Sequence, residues 1–189
     1  MNATRKLFHT DTLSAWETNA AIIGLRPHRL PFVVEKVNQN GPIPEHRPEL
    51  GPCWEWMATR SKGYGWVKIG GKGQSTHRVA WQFLVGSVPP GMKLDHQCHN
   101  RACVRPAHLR VATHKQNIEH RLGAQKNNTS GIRGVSWDKR RNNWEASVKH
   151  NGKGYHVGNF RDIADAEAAV IAKRNELFTH NDDDRKAAA

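Results

Sequence analysis

Between Asp95 and Asn117 the chain reads D-H-Q-C-H-N-R-A-C-V-R-P-A-H-L-R-V-A-T-H-K-Q-N, a short segment that holds a potential base, a metal-binding amide and three potential zinc ligands. Cys98-x4-Cys103-x4-His108 offers two thiolates and an imidazole. Cys53, the one remaining cysteine, supplies a fourth ligand for a tetrahedral Cys3His zinc site. That set leaves His96 and Asn117 for chemistry. Two blander arrangements compete with it: three buried free thiols, or a zinc site that includes His96 itself. The second would place two ligands only two positions apart, although four others already saturate the ion.

The chemistry such a segment suits is phosphodiester hydrolysis, which needs an activated water, neutralised charge on the phosphate and a stabilised leaving oxygen. An imidazole with a pKa near ~6.5 is partly neutral at physiological pH. His96 can therefore take the proton of a water, provided a backbone carbonyl fixes its other ring nitrogen. Mg2+ (or Mn2+) prefers oxygen ligands and keeps several waters, so an amide oxygen from Asn117, a carboxylate and substrate oxygens would hold it. Arg78, at the start of a helical stretch, could reach the scissile phosphate through two parallel hydrogen bonds; an ordinary surface arginine is the equal alternative. His99, His114 and His120 carry no comparable argument. They read as solvated or phosphate-facing.

Charge points to the same partner. Among 189 residues, Lys and Arg total 29 against 17 Asp and Glu, a formal net charge of +12, and such a field favours a polyanion. Double-stranded DNA is the expected partner. No apolar run approaches the ~20 residues of a membrane span, and the N-terminus lacks a secretory pattern, so a cytoplasmic protein with no membrane partner is expected, at the nucleoid of a bacterial host if phage-encoded. Three cysteines cannot complete a disulfide framework, which again favours metal.

The elements that must position these groups can be read in outline. Residues 1–50 read as an N-terminal arm or wrapping segment, with a short helix near Thr12–Ile23 and then prolines that break regular structure. From Cys53 on, C-W-E-W-M and G-Y-G-W-V-K-I alternate as strands around a Ser61–Gly63 turn. H-R-V-A-W-Q-F-L-V (77–85) carries a helical apolar stripe. Met92–His96 reads as a strand, the Cys-rich turn follows, and Thr113 caps a helix over His114–Leu122. Trp54, Trp56, Trp66 and Trp81 read as core around the zinc. Residues 124–130 (A-Q-K-N-N-T-S) form a polar linker. Beyond it G-I-R-G-V-S-W, N-W-E-A-S-V-K and G-Y-H-V-G-N-F read as three strands, and Ala164–Phe178 as a helix with Ala164, Ala168, Ile171, Ala172 and Asn175 on one side and Arg174 elsewhere. The end of the chain, 181–189, reads as a frayed tail.

H-R-V-A-W…G-S-V-P-P-G-M-K-L-D-H-Q-C-H-N-R-A-C-V-R-P-A-H-L…N resembles the HNH nuclease family, and its cysteine pattern is similar to the His-Cys box branch of homing endonucleases. The resemblance covers roughly residues 52–122. It implies a ββα-metal unit over 51–123 in which His96 activates water, Asn117 holds one Mg2+, and Cys53, Cys98, Cys103 and His108 bind a structural zinc. Asp95 stands where HNH enzymes carry a second metal ligand. Arg105 replaces the family's usual Asn and is expected to alter only the loop surface.

Residues 127–178 resemble a second family, the ethylene-response-factor (APETALA-type) DNA-binding domain, through I-R-G-V, W-E-A-S-V-K and the strand ending G-N-F. That implies, for 131–180, a three-stranded sheet that enters the major groove. Arg133, Gly134, Trp144 and Lys149 match by position, whereas His156 replaces the usual tryptophan of the third strand. Trp137 and Arg140 lie among the same charges on the strands and their turn, and join the candidate DNA contacts.

The fold expected is α+β: a small zinc-stabilised ββα-metal module, then a three-stranded antiparallel sheet packed on one helix. The function expected is a metal-dependent DNA endonuclease that leaves 5′-phosphate and 3′-hydroxyl ends and is targeted by its C-terminal sheet. One active site per chain nicks a single strand, so double-strand cuts would call for a homodimer or sequential nicking. A non-catalytic DNA-binding regulator with a zinc scaffold is the alternative, disfavoured because a binder needs neither His96 nor Asn117. An RNA-directed nuclease fits a major-groove sheet poorly.

Overall fold

The computed structural model describes residues 35–121 and 123–187, so the expected helix near Thr12–Ile23 lies outside the described residues. The chain divides into two compact units, residues 1–113 and 114–189. The division falls earlier than the expected linker, and the helix after Thr113 belongs to the second unit.

In the first unit, the expected N-terminal arm is in part built into the fold. Strand β1 (Val37–Asn38) pairs antiparallel with β2 (Glu55–Trp56), and a 3-10 turn at Pro48–Leu50 leads towards Cys53. The expected hairpin forms around its turn but with a different first strand. β3 (Arg60–Ser61) pairs with β4 (Tyr64–Ile69), and β4 continues into β5 (Lys72–Ser75). β5 has no apolar alternation in its K-G-Q-S sequence, because its strand character comes only from pairing with β4.

Helix α1 (Thr76–Leu84) buries Thr76, Val79 and Phe83, positions three and four apart on one face. It ends at Val85 and Gly86, whose backbone N–H groups both donate to the Trp81 carbonyl. β6 (Lys93–His96) and β7 (Leu109–Ala112) then form an antiparallel pair with Leu94 opposite Val111 and His96 opposite Leu109. Leu94, Leu109 and Val88 form a small apolar cluster against Trp81, Met92 and Val111. Of the four tryptophans expected in the core, Trp56 is buried, Trp54 and Trp81 are half-buried and Trp66 is exposed.

The second unit begins with helix α2 (His114–Glu119). β8 (Val135–Asp138), β9 (Asn143–His150) and β10 (Lys153–Phe160) form a three-stranded antiparallel sheet in the order β10-β9-β8. Asn151–Gly152 turns β9 into β10 with both residues at positive φ, 51° and 76°, the pair of left-handed positions that Asn-Gly supplies in a tight hairpin. Helix α3 (Ile163–Leu177) packs on this sheet, capped by Asp162, whose carboxylate accepts from the Ala164 N–H at 2.7 Å.

The face of α3 differs from the expected stripe. Ala166, Val170 and Arg174 are its buried residues, while Ala164, Ala168 and Ala172 are exposed. Alanines occur on every side of this helix and cannot select one, so the larger Ile163, Val170 and Leu177 do. They pack with Val135, Ala146, Val148 and Phe178. Arg174 is buried because Asp184 meets it through Nε and Nη2 at 2.6 and 2.9 Å, and because its Nη1 donates to the Arg133 carbonyl. Asp184 lies on a short helix α4 (Asp182–Ala187), so the expected frayed tail is in part a docked element. The expected linker is also ordered at its end, where Asn128 and Ser130 side chains donate to the Ile132 and Val135 carbonyls.

Candidate metal centre and active site

The four residues expected to bind zinc come together. Cys53, Cys98, Cys103 and His108 are all buried, and their ligand atoms lie within 4.8 Å of one another. His108 Nδ1 stands 3.5 Å from Cys53 Sγ and 3.6 Å from Cys103 Sγ. A tetrahedral zinc-sized ion with a metal–sulfur distance of about 2.3 Å and metal–nitrogen of about 2.1 Å would hold sulfur and nitrogen about 3.6 Å apart. The donor set and its spacing therefore fit such an ion.

Local hydrogen bonding explains how distant positions meet. The backbone of Trp54–Trp56 is stitched beside Ala102–Val104, with Trp56 N–H to Ala102 O at 2.9 Å and Val104 N–H to Trp54 O at 2.8 Å. His99 adopts φ 53° within the loop between the two cysteines, and the Asn100 side chain closes that loop by accepting from Ala102 N–H and donating to Glu55. His108 Nε2 donates to the Leu50 carbonyl at 2.9 Å, which leaves Nδ1 as the lone pair facing the sulfurs. Arg105 Nη1 donates to the carbonyls of Leu50 and Pro52 at 3.0 and 2.9 Å. Arg105 thus does more than alter the loop surface. It pins the segment that delivers Cys53.

Electrostatics show what a cation would do in such a cluster. Burial first, and Cys103 second, hold the Cys53 thiol up at about 11; a hydrogen bond to Cys98 together with burial pushes Cys103 higher still. Thiolates crowded in an apolar pocket become stable when a positive ion sits among them.

His96 is not part of this cluster. Its Nε2 donates to the Cys103 carbonyl at 3.0 Å. Because a carbonyl can only accept, the neutral ring carries its proton on Nε2 and keeps the Nδ1 lone pair for other work. Burial lowers its pKa to about 4 against the opposing pull of that carbonyl and of Asp95, so the ring is neutral at physiological pH. Two rings press on it: His77, edge-on at 4.7 Å between centroids, and Tyr64 at 5.8 Å. His77 was not singled out from the sequence, where it reads only as the first residue of a helical stripe. Burial, then His96, then Arg78 lower its pKa to about 3. Arg78 follows on α1 and has no ion-pair or hydrogen-bond partner among the described residues.

Asp95, expected as a metal ligand, also pairs with an arginine. Strand alternation sends it to the face opposite His96. There its carboxylate meets Arg110, its cross-strand partner, at 2.9 Å with only 7% of the Asp95 side chain exposed. Asn117 lies half-buried on α2 in the second unit.

The candidate DNA contacts of the second unit separate by strand parity. Val135, Ala146 and Val148 face α3, and Trp137 and Trp144, cross-strand partners in edge-to-face contact at 4.8 Å, share that face. Trp144 packs against the core, and Trp137 remains 39% exposed at its margin. Arg133 donates to the carbonyls of Glu119 and Arg121 at 2.9 Å and of Ile118 at 3.2 Å, closing the end of α2. Gly134 sits at φ +89°, where a Cβ would lie 2.6 Å from the Ser147 carbonyl and 2.7 Å from Val170. These duties are internal, and they leave the DNA contacts expected of Arg133, Gly134 and Trp144 without support. The open face carries Ser136, Glu145, Ser147, Lys149, His156 and Asn159, with Arg140 exposed in the adjoining turn.

Beside this neutral imidazole and the buried Cys3His cluster, the comparisons supply the family: residues 74–118 match the HNH endonuclease family. The chain is 33% identical over 106 residues to Protein 3.8 of Escherichia phage T7, which covers 56% of this chain and 86% of that one. It is 41% identical over 68 residues to Protein 2.8 of the same phage, covering 34% and 45% respectively. A protein of Acanthamoeba polyphaga mimivirus named as an HNH endonuclease is 29% identical over 103 residues, 54% of this chain and 52% of its own. The chain thus spans most of one of these relatives and about half of the other two. No solved structure matches it. The chain belongs to the HNH endonuclease family and is an endonuclease, and the family implies DNA as its substrate. Among the described residues no helix is long and apolar enough to cross a membrane.

Proposed function

We propose that this protein is a divalent-metal-dependent DNA endonuclease in which His96 is the general base. The observation that carries the reading is the His96 Nε2–Cys103 carbonyl bond, which keeps the imidazole out of the cysteine cluster and leaves Nδ1 to accept a proton from water. Zinc in the Cys53, Cys98, Cys103 and His108 cluster is a structural ion, in keeping with two or three thiolates and an imidazole as its preferred donors. A separate Mg2+, which Mn2+ could replace, would polarise the phosphate and stabilise the leaving oxygen. Asn117 is the amide ligand for it, on the ground that the family match extends to residue 118. Asp95 is assigned to holding β6 and β7 in register through Arg110, and Arg78 to the phosphate. Loss of the 3′ oxygen leaves 5′-phosphate and 3′-hydroxyl ends.

The second unit is the targeting module, resembling an ethylene-response-factor domain. Its open sheet face, with Lys149 and the Arg140 turn supplying phosphate contacts, would dock on the duplex. The phage relatives support action in the cytoplasm of an infected cell. The direct test is supercoiled plasmid with Mg2+ and either wild-type protein or His96→Ala. Nicking by the wild type alone is expected; equal nicking by both would remove His96 from the reaction.

A further inference from the structure

His77 carries a cost that packing does not explain. Its Nδ1 is buried without a hydrogen-bond partner among the described residues, and an orphaned buried polar atom is destabilising. A phenylalanine or leucine would press on His96 and Tyr64 without that cost. Such orphans mark places where a ligand or a reacting group completes the set. This one lies in a ring whose edge rests on His96 at 4.7 Å, with Tyr64 at 5.6 Å and Arg78 next in sequence.

We propose that His77 is a second imidazole of the reaction centre, whose Nδ1 hydrogen-bonds an oxygen there, either the attacking water or a non-bridging oxygen of the scissile phosphate. The inference rests on the assignment of His96 as base. His77 is not a second base in it. It orients one oxygen at the moment of attack while His96 takes the proton, so no covalent step is added. Tyr64 lies beside both rings, its centroid 5.6 Å from that of His77 and 5.8 Å from that of His96.

The test compares His77→Leu with His77→Asn in the full chain, two nearly isosteric side chains that differ in their polar atoms. Each is assayed for plasmid nicking with saturating Mg2+, for plasmid binding by gel shift without divalent ion, for zinc content and for thermal melting. His77→Leu should fold with wild-type zinc content and nick on the order of 10²-fold more slowly, the cost typical of one lost hydrogen-bond donor at a reaction centre. His77→Asn should recover at least about tenfold of that loss. Unchanged binding in the leucine variant identifies the oxygen as that of water; weakened binding identifies the phosphate. Equal nicking by the leucine and asparagine variants, or a leucine variant as fast as wild type, overturns the proposal. His96→Ala is run alongside. Should it cut normally, the base assignment fails whatever the His77 pair does.

Discussion

Replacing Cys103 with serine tests the metal centre where it bears most weight. Among the described residues, Leu50 is the one partly buried apolar side chain packed against the three cysteines, so an ion there would be a main source of local stability. A structural zinc contributes about 10–16 kcal/mol in small folds. Shared evenly over four ligands, that is roughly 2.5–4 kcal/mol each, or about 10²- to 10³-fold in zinc affinity at 1.4 kcal/mol per tenfold. A domain is stable by only about 5–15 kcal/mol in total, so a change of this size should be plain in a melt. The assay is zinc content after competition with a chromogenic chelator, followed by thermal unfolding by circular dichroism. Cys103→Ser should surrender its ion at chelator concentrations that leave wild type loaded, and should melt earlier. Identical melting of wild type, the variant and fully chelated protein would refute the view that the ion supports the fold.

Other perturbations bear on the remaining assignments. Asn117→Ala should abolish nicking while plasmid affinity stays within about threefold, since one lost ligand disturbs the ion more than the phosphate grip; equal loss of both would show that its role is misassigned. Lys149→Ala should weaken DNA binding uniformly and lower the slope of log affinity against log salt by about 1, and an unchanged slope would take the open sheet face out of the interface. Asp184→Ala strands the Arg174 charge, 7% exposed, and should destabilise by about 3 kcal/mol; an unaltered melt would show that the pair is not needed. Truncation after residue 123 removes Arg133 from the Ile118, Glu119 and Arg121 carbonyls, and Thr179 from Glu119. It should unwind α2 and abolish cutting along with weakening binding, so a truncated chain that still nicks would separate Asn117 from catalysis.

The clustering of Cys53, Cys98, Cys103 and His108 was legible because metal-ligand chemistry restricts residue type and leaves a spacing pattern that burial alone would not. The strands of the second unit were legible for a similar reason, as Val135, Ala146 and Val148 alternate with polar neighbours and Asn151–Gly152 announces its turn. Features set by pairing at a distance were not. β5 is K-G-Q-S and is a strand only because β4 lies beside it; β7 hides in L-R-V-A directly after the Cys-rich turn. Arg174 was placed outside the core because a charged side chain is seldom buried alone, and its partner, Asp184, lies in a segment with no periodicity. Trp137 and Trp144 were read as DNA contacts from their mixture with Lys and Arg, but composition is blind to strand parity. His77 was missed because an imidazole at a helix start is common, and only the neighbouring ring and the orphaned nitrogen set it apart.

Cys103 serves two masters: its sulfur faces the cluster and its carbonyl accepts from the ring of His96. A single peptide unit is thereby shared by the four-residue cluster and the buried imidazole, so a shift of its backbone would be felt at both.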